Sequence, residues 1–482
     1  NSTLNLGATA VESTNLAPIN ILALANNSTL NLQNGSIGTL NIDTLILQER
    51  NNLMLDADLA NGLIDTLQVA TLGETPEYTG TLKIADIKLL SDLNPEDDEL
   101  TIPLFADPTT KGLLKDKVSG NLTGLKYSPI YKYNATYDPT EGKITFARFA
   151  AGDDEYNPAI LPSPVAAQLS GYATMMENFN QGFKTVDNMM NMPSSIRKAY
   201  LDRNKYALLD GTGVYTAGAS KSAWFSPYTS FENVKLSDGP DVDAITYGSY
   251  FGGDSEVYSL RHGWDVIYSL YAGYNGAYQT FEGVNMNYNG GSVGGTATFF
   301  KGNFFTAINL AVGAGVSTAN TMFGMENSTL LNAGAAVKAG YNFEFKEGLH
   351  ILQPSLMVGY SLVNTFDYTN AAGIDITSDP MHAIVIQPQL KYILNLKNGW
   401  QPYAAVSAVF NIMDKSKFYA QDIALPEMSM RPYIQYGIGV QKQWGDRCTG
   451  YAQAMVRNIG RNGVALSLGF KWQLGKGSSS RL

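Results

Sequence analysis

From Lys221 onward, apolar and polar side chains alternate in twelve segments of about ten residues each. A period of two residues is that of a β-strand whose two faces lie in different surroundings. The sequence therefore predicts twelve strands. They lie near 222–231, 244–252, 263–275, 286–299, 303–315, 331–345, 350–363, 383–396, 400–412, 431–442, 449–458 and 463–473.

The sixth segment shows the two faces most clearly. One face carries Leu331, Ala333, Ala335, Val337, Ala339, Tyr341, Phe343 and Phe345. The opposite face is mostly Gly, Ala and Asn, with one lysine and one glutamate. We expect the polar faces to line a common interior, with the charged residues Lys338, Glu344, Lys391, Arg431 and Lys471 among the lining side chains.

The composition favours a membrane barrel over a soluble β-sandwich. Charged residues make up 16% of the chain, against about 25% in ordinary soluble proteins. Aromatic residues recur at segment ends, as in the interfacial girdles of outer-membrane barrels: Trp264, Tyr274, Tyr341, Tyr360, Trp400 and Trp472. An even number of strands closes without an edge. We therefore predict an all-β chain whose residues 221–475 form a twelve-stranded antiparallel transmembrane β-barrel.

A helix is predicted at about 163–192, within a linker region that spans 151–220. Pro193 stops the helical pattern, and its roughly 42 Å length matches a whole bilayer. The helix is too polar to face lipid, so we expect it to lie inside the barrel, opposite lumenal cations that include Arg457. Its polar residues include Gln168, Glu177, Asn180, Lys184, Asp187 and Asn188.

Residues 1–150 carry a different repeat. The six letters NSTLNL occur at 1–6 and again at 27–32, and Thr-Leu pairs followed by an aliphatic residue recur at Thr39, Thr44, Thr66 and Thr81. The intervals 3 to 29 and 44 to 66 are typical of one coil of a parallel β-helix (solenoid), in which each rung buries its leucines against the next. The alternative is an ordinary β-domain.

Several stretches resemble the classical autotransporters, the monomeric type V secretion proteins of Gram-negative bacteria. TYGSYFGGDSE resembles the second barrel strand of that family, and GWDVIYSLYAGYNGAYQTFEG with MNYNGGSVGG resembles the third and fourth. AAVKAGYNFEF and HILQPSLMVGYSLVNTFDY resemble the sixth and seventh, and GVALSLGFKW the last. The resemblance covers about residues 150–475.

The resemblance implies that residues 1–150 are the end of an exported passenger and that the barrel lies in the outer membrane as a monomer among lipid and lipopolysaccharide. It also implies that the barrel-assembly machinery reads the final strand by Val464, Leu466, Leu468, Phe470 and Trp472. The family usually ends on that strand's terminal aromatic residue, whereas here QLGKGSSSRL follows. We expect residues 476–482 to be a natural extension or an engineered addition, and the absent initial Met to mean a removed leader or a longer precursor.

No motif in the sequence indicates catalysis, a cofactor or a metal site. There is one cysteine, Cys448, and the net charge of −10 argues against nucleic-acid binding. Some relatives cleave themselves at a lumenal asparagine, so the asparagines of the helix are the one chemical possibility: Asn178, Asn180, Asn188 and Asn191. We expect a surface-interaction protein or adhesin with an unknown surface ligand. The alternatives are a porin-like channel, an enzymatic head upstream of residue 1, and a soluble adhesin.

Overall fold

The computed structural model forms two compact units, Asn1–Ile160 and Leu161–Leu482. The residues that the structure describes are 3–6, 19–73, 80–94, 96–120, 122, 125–149, 155–157, 160, 162–204, 221–237, 241–281, 284–321, 323–396, 399–412, 415–421, 423–444 and 448–474. The tail at 476–482 and most of the linker on either side of the helix lie outside these ranges.

The N-terminal unit contains two parallel sheets and one antiparallel sheet. The first parallel sheet has the order β1-β3-β5-β8-β10 with β6 attached to β5, the second is β2-β4-β7, and the antiparallel sheet is β11-β12-β13-β9. The elements are β1 Thr3–Asn5, β2 Ile19–Leu24, β3 Thr29–Asn31, β4 Thr39–Leu47, β5 Arg50–Asp58, β6 Leu63–Ile64, β7 Thr66–Leu72, β8 Thr81–Ser91, β9 Glu99–Pro103, α1 Pro108–Leu114, β10 Val118–Ser119, β11 Leu125–Tyr127, β12 Lys132–Asp138 and β13 Lys143–Arg148.

The repeated NSTLNL segments stack directly on each other. Leu4 of β1 pairs in register with Leu30 of β3, which pairs with Leu53 of β5. Leu30 and Leu53 are fully buried, and burying a leucine side chain contributes about 1.5–3 kcal/mol. The repeat thus places leucine on leucine in successive parallel strands, and the inner leucines are shielded from water.

The interval from Thr44 to Thr66 is not a rung spacing, and that prediction is wrong. Thr66 pairs with Thr39, and Thr44 pairs with Thr71. Both Thr-Leu pairs at 39 and 44 lie within the single strand β4. The true spacing of 27 residues is close to the 26 residues between Thr3 and Thr29.

Two buried carboxyl groups meet beneath the turn that follows β3. Asp65 accepts hydrogen bonds from the backbone N–H groups of Gly38 (2.9 Å) and Asp56 (2.7 Å). Asp56 accepts from the N–H groups of Asn34 and Gly35, at 2.7 Å each. Burial raises the pKa of both carboxyl groups above the ordinary range, that of Asp65 to about 6.

We expect the N-terminal unit to lose stability as the pH rises through 6. A carboxyl group whose pKa is raised by folding favours the folded state below its unfolded pKa, near 4, and that contribution is lost as the pH passes its folded pKa. Hydrogen exchange of β5 amides in the full chain, measured from pH 4 to pH 8, checks this. Asp65→Asn should flatten the profile and the exposed Asp43→Asn should not. Equal slopes in both variants would contradict the assignment.

The C-terminal unit is a barrel with helices. Its helices are α2 Pro162–Gly182, α3 Lys184–Met190 and α4 Ser194–Asn204. Its strands are β14 Ser222–Ser237, β15 Asp241–Asp254, β16 Tyr258–Ser259, β17 Asp265–Phe281, β18 Val284–Lys301, β19 Phe304–Thr321, β20 Gly324–Tyr341, β21 Phe343–Phe345, β22 His350–Thr365, β23 Tyr368–Thr369, β24 Asp375–Ser378, β25 Met381–Leu394, β26 Trp400–Ile412, β27 Phe418–Ala420, β28 Ile423–Ala424, β29 Ser429–Met430, β30 Tyr433–Trp444, β31 Cys448–Ile459 and β32 Arg461–Gln473.

Twelve long antiparallel strands close on themselves within the described ranges, which confirms the predicted barrel. The closing strands are β14 and β32, paired from Ser222↔Gln473 to Val234↔Arg461. The predicted faces are also confirmed in β20, where Leu331 and Val337 are exposed while Asn332 and Lys338 are buried. The barrel therefore has an apolar outside and a polar inside.

The helical region differs from the single helix predicted at 163–192. Helix α2 begins at Pro162 and ends at Gly182, Phe183 interrupts the helix, and α3 follows. A Cβ at position 182 would lie 2.0 Å from Asn309 Nδ2 on the barrel wall, so only glycine permits this close approach. A further helix, α4, follows Pro193. None of the described helices is both long and apolar enough to cross a membrane.

Candidate functional site: the barrel lumen and its helix

Helices α2 and α3 together run through the barrel from one end to the other. We call the end with the long connections 366–380 and 413–432 the loop end. The end with the short connections 302–303 and 395–399 is the turn end. Near the start of α2, Gln168 Nε2 lies 3.5 Å from the carbonyl of Asp379 at the loop end.

At the other end of the helical region, Arg197 of α4 donates to the carbonyl of Gly302 at the turn end, at 2.9 Å. The chain therefore enters the lumen at the loop end and leaves it at the turn end.

The middle of the helix is held by side chains of the barrel wall. Tyr271 of β17 donates its hydroxyl to the carbonyl of Asn178, at 3.1 Å, and accepts from Asn309 Nδ2, at 2.7 Å. Tyr271 packs with Trp224 and Tyr250 in a buried aromatic cluster on the wall. Almost every described side chain of α2 is buried, so the helix fills the lumen at this level.

Of the predicted helix–wall ion pairs, one forms directly. Lys338 Nζ lies 2.6 Å from Asp187 Oδ1 of α3. Lys391 pairs with no carboxylate among the residues that the structure describes. Its Nζ donates to Asn191 Oδ1 at 3.0 Å and lies 4.8 Å from the centre of the Tyr403 ring.

The other predicted helix residues also lie in the lumen. Glu177 accepts from Gln181 Nε2 (2.5 Å) and Asn180 Nδ2 (3.4 Å) on its own helix. Lys184 Nζ lies 3.5 Å from Ser467 Oγ, and the carbonyl of Asn188 accepts from Gln441 Nε2 at 3.1 Å.

Glu344 and Arg431 lie at opposite ends of the barrel. Glu344 is at the turn end, where it accepts from the backbone N–H and the hydroxyl of Ser194, both at 2.8 Å. It therefore binds the start of α4 rather than the helix inside the lumen. Arg431 is exposed and precedes β30, and it lines a small cavity at the loop end together with Tyr172 of the helix. Pro432 has no N–H for a strand ladder, and the strand begins only after it.

Asp254 is the centre of the most highly connected cluster in the lumen. Its carboxylate lies 2.5 Å from Lys471 Nζ, and the side chains of both residues are less than a tenth exposed. The same carboxylate accepts hydrogen bonds of 2.8–3.2 Å from Ser222, Trp224, Ser269 and Thr185. The cluster thus joins β14, β15, β17 and β32 to helix α3.

A second buried charge cluster lies along the same two closing strands. Glu232 of β14 pairs with Arg457 of β31 and with Arg461 of β32, at 2.6 Å to the Nε of Arg461. The Glu232 side chain is 1% exposed. Of these lumenal acids and bases, sequence reasoning placed only Lys471 and Arg457. The alternation continues through Glu232 and Asp254, but the predicted strands end at 231 and 252.

The apolar face of the final strand points away from the lumen, as predicted. Its five residues are 39–50% exposed: Val464, Leu466, Leu468, Phe470 and Trp472. They form part of the outer surface next to the seam between β32 and β14.

The described residues contain no group of three or more His, Cys, Asp or Glu side chains that could hold a metal ion. Ser255, in the GGDSE stretch, donates its hydroxyl to the carbonyl of Glu256 at 2.7 Å and accepts from the Tyr268 N–H at 3.0 Å. Asn178 Nδ2 donates to the carbonyl of Thr174, one turn earlier on the helix, at 2.9 Å. Both side chains therefore serve local structure.

No protein-family profile matches the chain, and no curated protein matches it. Solved structures do. The β domain of the Bordetella autotransporter BrkA matches at 18% identity with a TM-score of 0.44, covering 52% of this chain and 98% of that one. The transport unit of the autotransporter AIDA-I from Escherichia coli matches at 15% identity with a TM-score of 0.46, covering 58% of this chain and 99% of that one. The translocator domain of the autotransporter NalP from Neisseria meningitidis matches at 11% identity with a TM-score of 0.47, covering 65% of this chain and 99% of that one. All three belong to the family that the sequence resembles, and the likeness in each is too low to assign a function.

Proposed function

We propose that this chain is the translocator end of an autotransporter, a barrel that anchors in the bacterial outer membrane and displays its own N-terminal region on the cell surface. The observation that carries the proposal is the polar helix inside the closed barrel. It enters at the loop end, near Asp379, and leaves at the turn end, near Gly302. Long loops are extracellular and short turns periplasmic in barrels of this kind.

This direction of the helix gives a physical reason for export. The residues before Pro162 would emerge on the side of the extracellular loops, and the barrel strands would begin from the periplasmic side. A helix whose sides are nearly all buried against the wall is a chain segment retained in the lumen. It also weighs against a porin-like function, since a porin needs an open, water-filled lumen.

In this proposal, the parallel sheets of the N-terminal unit are the last rungs of a β-solenoid passenger. The support is the register of identical residues from Leu4 to Leu30 and on to Leu53. Rungs that fold only by stacking on the previous rung can form one after another outside the cell, so that folding would bias transport outward without a nucleotide.

The proposal assigns no enzymatic activity to this chain and takes the barrel to be a monomer. Its partners are outer-membrane lipid and lipopolysaccharide around the apolar face, and the barrel-assembly machinery at the final strand. The passenger would act as an adhesin or in another surface interaction. An enzymatic head upstream of residue 1 would be carried by the same mechanism.

The test is the accessibility of epitopes on intact cells. One epitope is inserted after Asn61, in the exposed turn between β5 and β6. Two matched controls carry it after Ala372, in a loop-end connection, and after Asp446, between β30 and β31 at the turn end. We expect antibody and an impermeant protease to reach the first two sites and not the third.

The controls separate the alternatives. An Ala372 site that is reached while the Asn61 site is not would place the N-terminal unit in the periplasm and overturn export. Access at Asp446 together with protection at Ala372 would reverse the orientation of the barrel. Recovery of the whole chain in the soluble fraction without detergent would exclude the membrane barrel.

A further inference from the structure

A cavity of about 140 Å³ remains between the helix and the barrel wall. It is large enough for a small ion and several water molecules. Seven side chains of acidic or basic residues line it in the described part of the chain. Five of them are cationic and two are anionic: Lys184, Lys338, Lys391, Arg457 and Arg461, with Glu177 and Asp187.

The anionic side chains do not neutralise this cavity. Asp187 is occupied by Lys338. Glu232, which does not line the cavity itself, is shared between two arginines that do. Counting Glu232 with the lining groups leaves five positive charges against three negative ones.

The excess positive charge falls on two lysines. Neither Lys391 nor Lys184 forms an ion pair with a carboxylate of the described residues. Lys391 is 5% exposed; the carboxylate of Asp187 attracts it, while the charges of Lys338 and Lys184 repel it. Glu177 and Asp187 attract Lys184 at longer range, and the Glu177 carboxylate is hydrogen-bonded to its own helix. The acceptors within reach are neutral oxygens, Asn191 Oδ1 for Lys391 and Ser467 Oγ for Lys184, and a counterion would compensate a buried cation further.

We infer that the cavity is a binding site for a small inorganic anion, of the class of chloride or phosphate. The anion would sit between Lys184 on the helix and Lys391 on β25. Neutral donors lie on the same cavity, among them the side chains of Gln435 and Gln453. Charge-assisted hydrogen bonds from lysine and arginine are the strong contacts of anion sites.

Such an anion would link the lumenal helix to the barrel wall. Its two lysine ligands belong to different elements, one to the helix and one to the wall, and it would convert their repulsion into a shared attraction. Bound anion would therefore hold α3 in the lumen. The inference rests on the lumen of the barrel and is independent of whether the N-terminal unit is exported.

The test measures the thermal unfolding of the full chain in detergent micelles. Sodium chloride or sodium phosphate is titrated against sodium gluconate at constant ionic strength, so that screening stays fixed. We expect the unfolding temperature to rise with chloride or phosphate and to saturate, since only a bound ligand acts by mass action. The salt that acts at lower concentration identifies the preferred anion.

Lys391→Gln should weaken the apparent anion affinity about tenfold or more, the equivalent of one charged hydrogen bond. The matched control is Lys301→Gln, an exposed barrel lysine that also lies over an aromatic ring, Trp264. It should leave the anion response unchanged. If Lys391→Gln fails to fold, anomalous diffraction from bromide-soaked crystals of the unaltered chain replaces it. Identical unfolding temperatures in all three salts, or no bromide in the cavity, would overturn the inference.

Discussion

A chain that ends at Gly460 is expected to form no folded barrel and to display no epitope at Asn61. The deletion removes β32, which pairs with β14 at eleven residues and with β31 at ten. The loss opens the sheet and leaves two edges, and each unsatisfied backbone group in lipid costs several kcal/mol. The summed cost of these unsatisfied backbone groups is larger than the roughly 5–15 kcal/mol that separates folded from unfolded states in most proteins.

Folding is measured by the heat-dependent shift in mobility on detergent gels that folded barrels give, and display by antibody binding to intact cells. The matched control ends at Leu474 and loses only the tail. It should behave as the full chain does, because β32 ends at Gln473. A chain ending at Gly460 that still shifts on the gel would mean that β31 and β14 close an eleven-stranded barrel. Failure of the Leu474 control would instead assign an assembly role to the tail.

The sequence predicts the existence of all twelve strands but not their ends. Strand β14 is predicted at 222–231 and extends to Ser237. Its inward face stays buried and becomes apolar at Val234 and Leu236, while its outward face becomes polar at Asn233 and Lys235. Beyond the apolar band, water replaces lipid, so the outer face no longer needs apolar residues and the alternation fades. Glu232 lies one residue past the predicted end of β14, at 231, and Asp254 lies two residues past the predicted end of β15, at 252.

The lumenal helix is predictable as an element because its length matches a bilayer and its surface is polar. Its pairing with the wall is not predictable, because the pairs depend on the rotation of the helix and on the break at Phe183. That rotation brings Asp187 to Lys338 and leaves Lys391 to an amide. The break lies next to Gly182, whose close approach to Asn309 of the wall is a contact between distant parts of the chain that no local sequence signal indicates.

The parallel stacking in the N-terminal unit is predictable from exact repetition of NSTLNL, and the rung length is not. Thr-Leu pairs five residues apart can lie in one strand or in two neighbouring ones, and both arrangements keep the leucines buried. The register is decided by pairs such as Thr39 Oγ1 with Thr66 Oγ1, 2.8 Å apart. Such contacts are properties of the stacked strands and not of either segment alone.

The two buried charge clusters both lie on the closing strands β14 and β32, towards opposite ends. Asp254 and Lys471 are near the turn end, and Glu232 with Arg461 is near the loop end. Between them Pro227 has no N–H to give, and the pairing of β14 with β32 is interrupted at 226–227, with the same register on both sides. The seam therefore combines side-chain clusters near its two ends with a backbone ladder that is incomplete in its middle.

Asp254→Ala is expected to lower the free energy of unfolding by about 3–5 kcal/mol, because it leaves Lys471 charged, buried and without its carboxylate. Four further hydrogen-bond donors lose their acceptor at the same time. Urea unfolding of the full chain in micelles measures the change. The matched control is Asp243→Ala, in the same strand at an exposed position. It should change the free energy of unfolding by no more than about 0.5 kcal/mol.

A double variant separates the effect of the buried Lys471 charge from the effect of the lost hydrogen bonds to Asp254. Lys471→Met removes the cation that has lost the Asp254 carboxylate and keeps an unbranched side chain, so Asp254→Ala with Lys471→Met should be more stable than Asp254→Ala alone. If the double variant is no more stable, the loss comes from the hydrogen bonds of Ser222, Trp224, Ser269 and Thr185. If Asp254→Ala is as mild as Asp243→Ala, water hydrates Lys471 in the lumen. In that case the seam is held by its backbone ladder, and the buried ion pairs contribute little to closing the barrel.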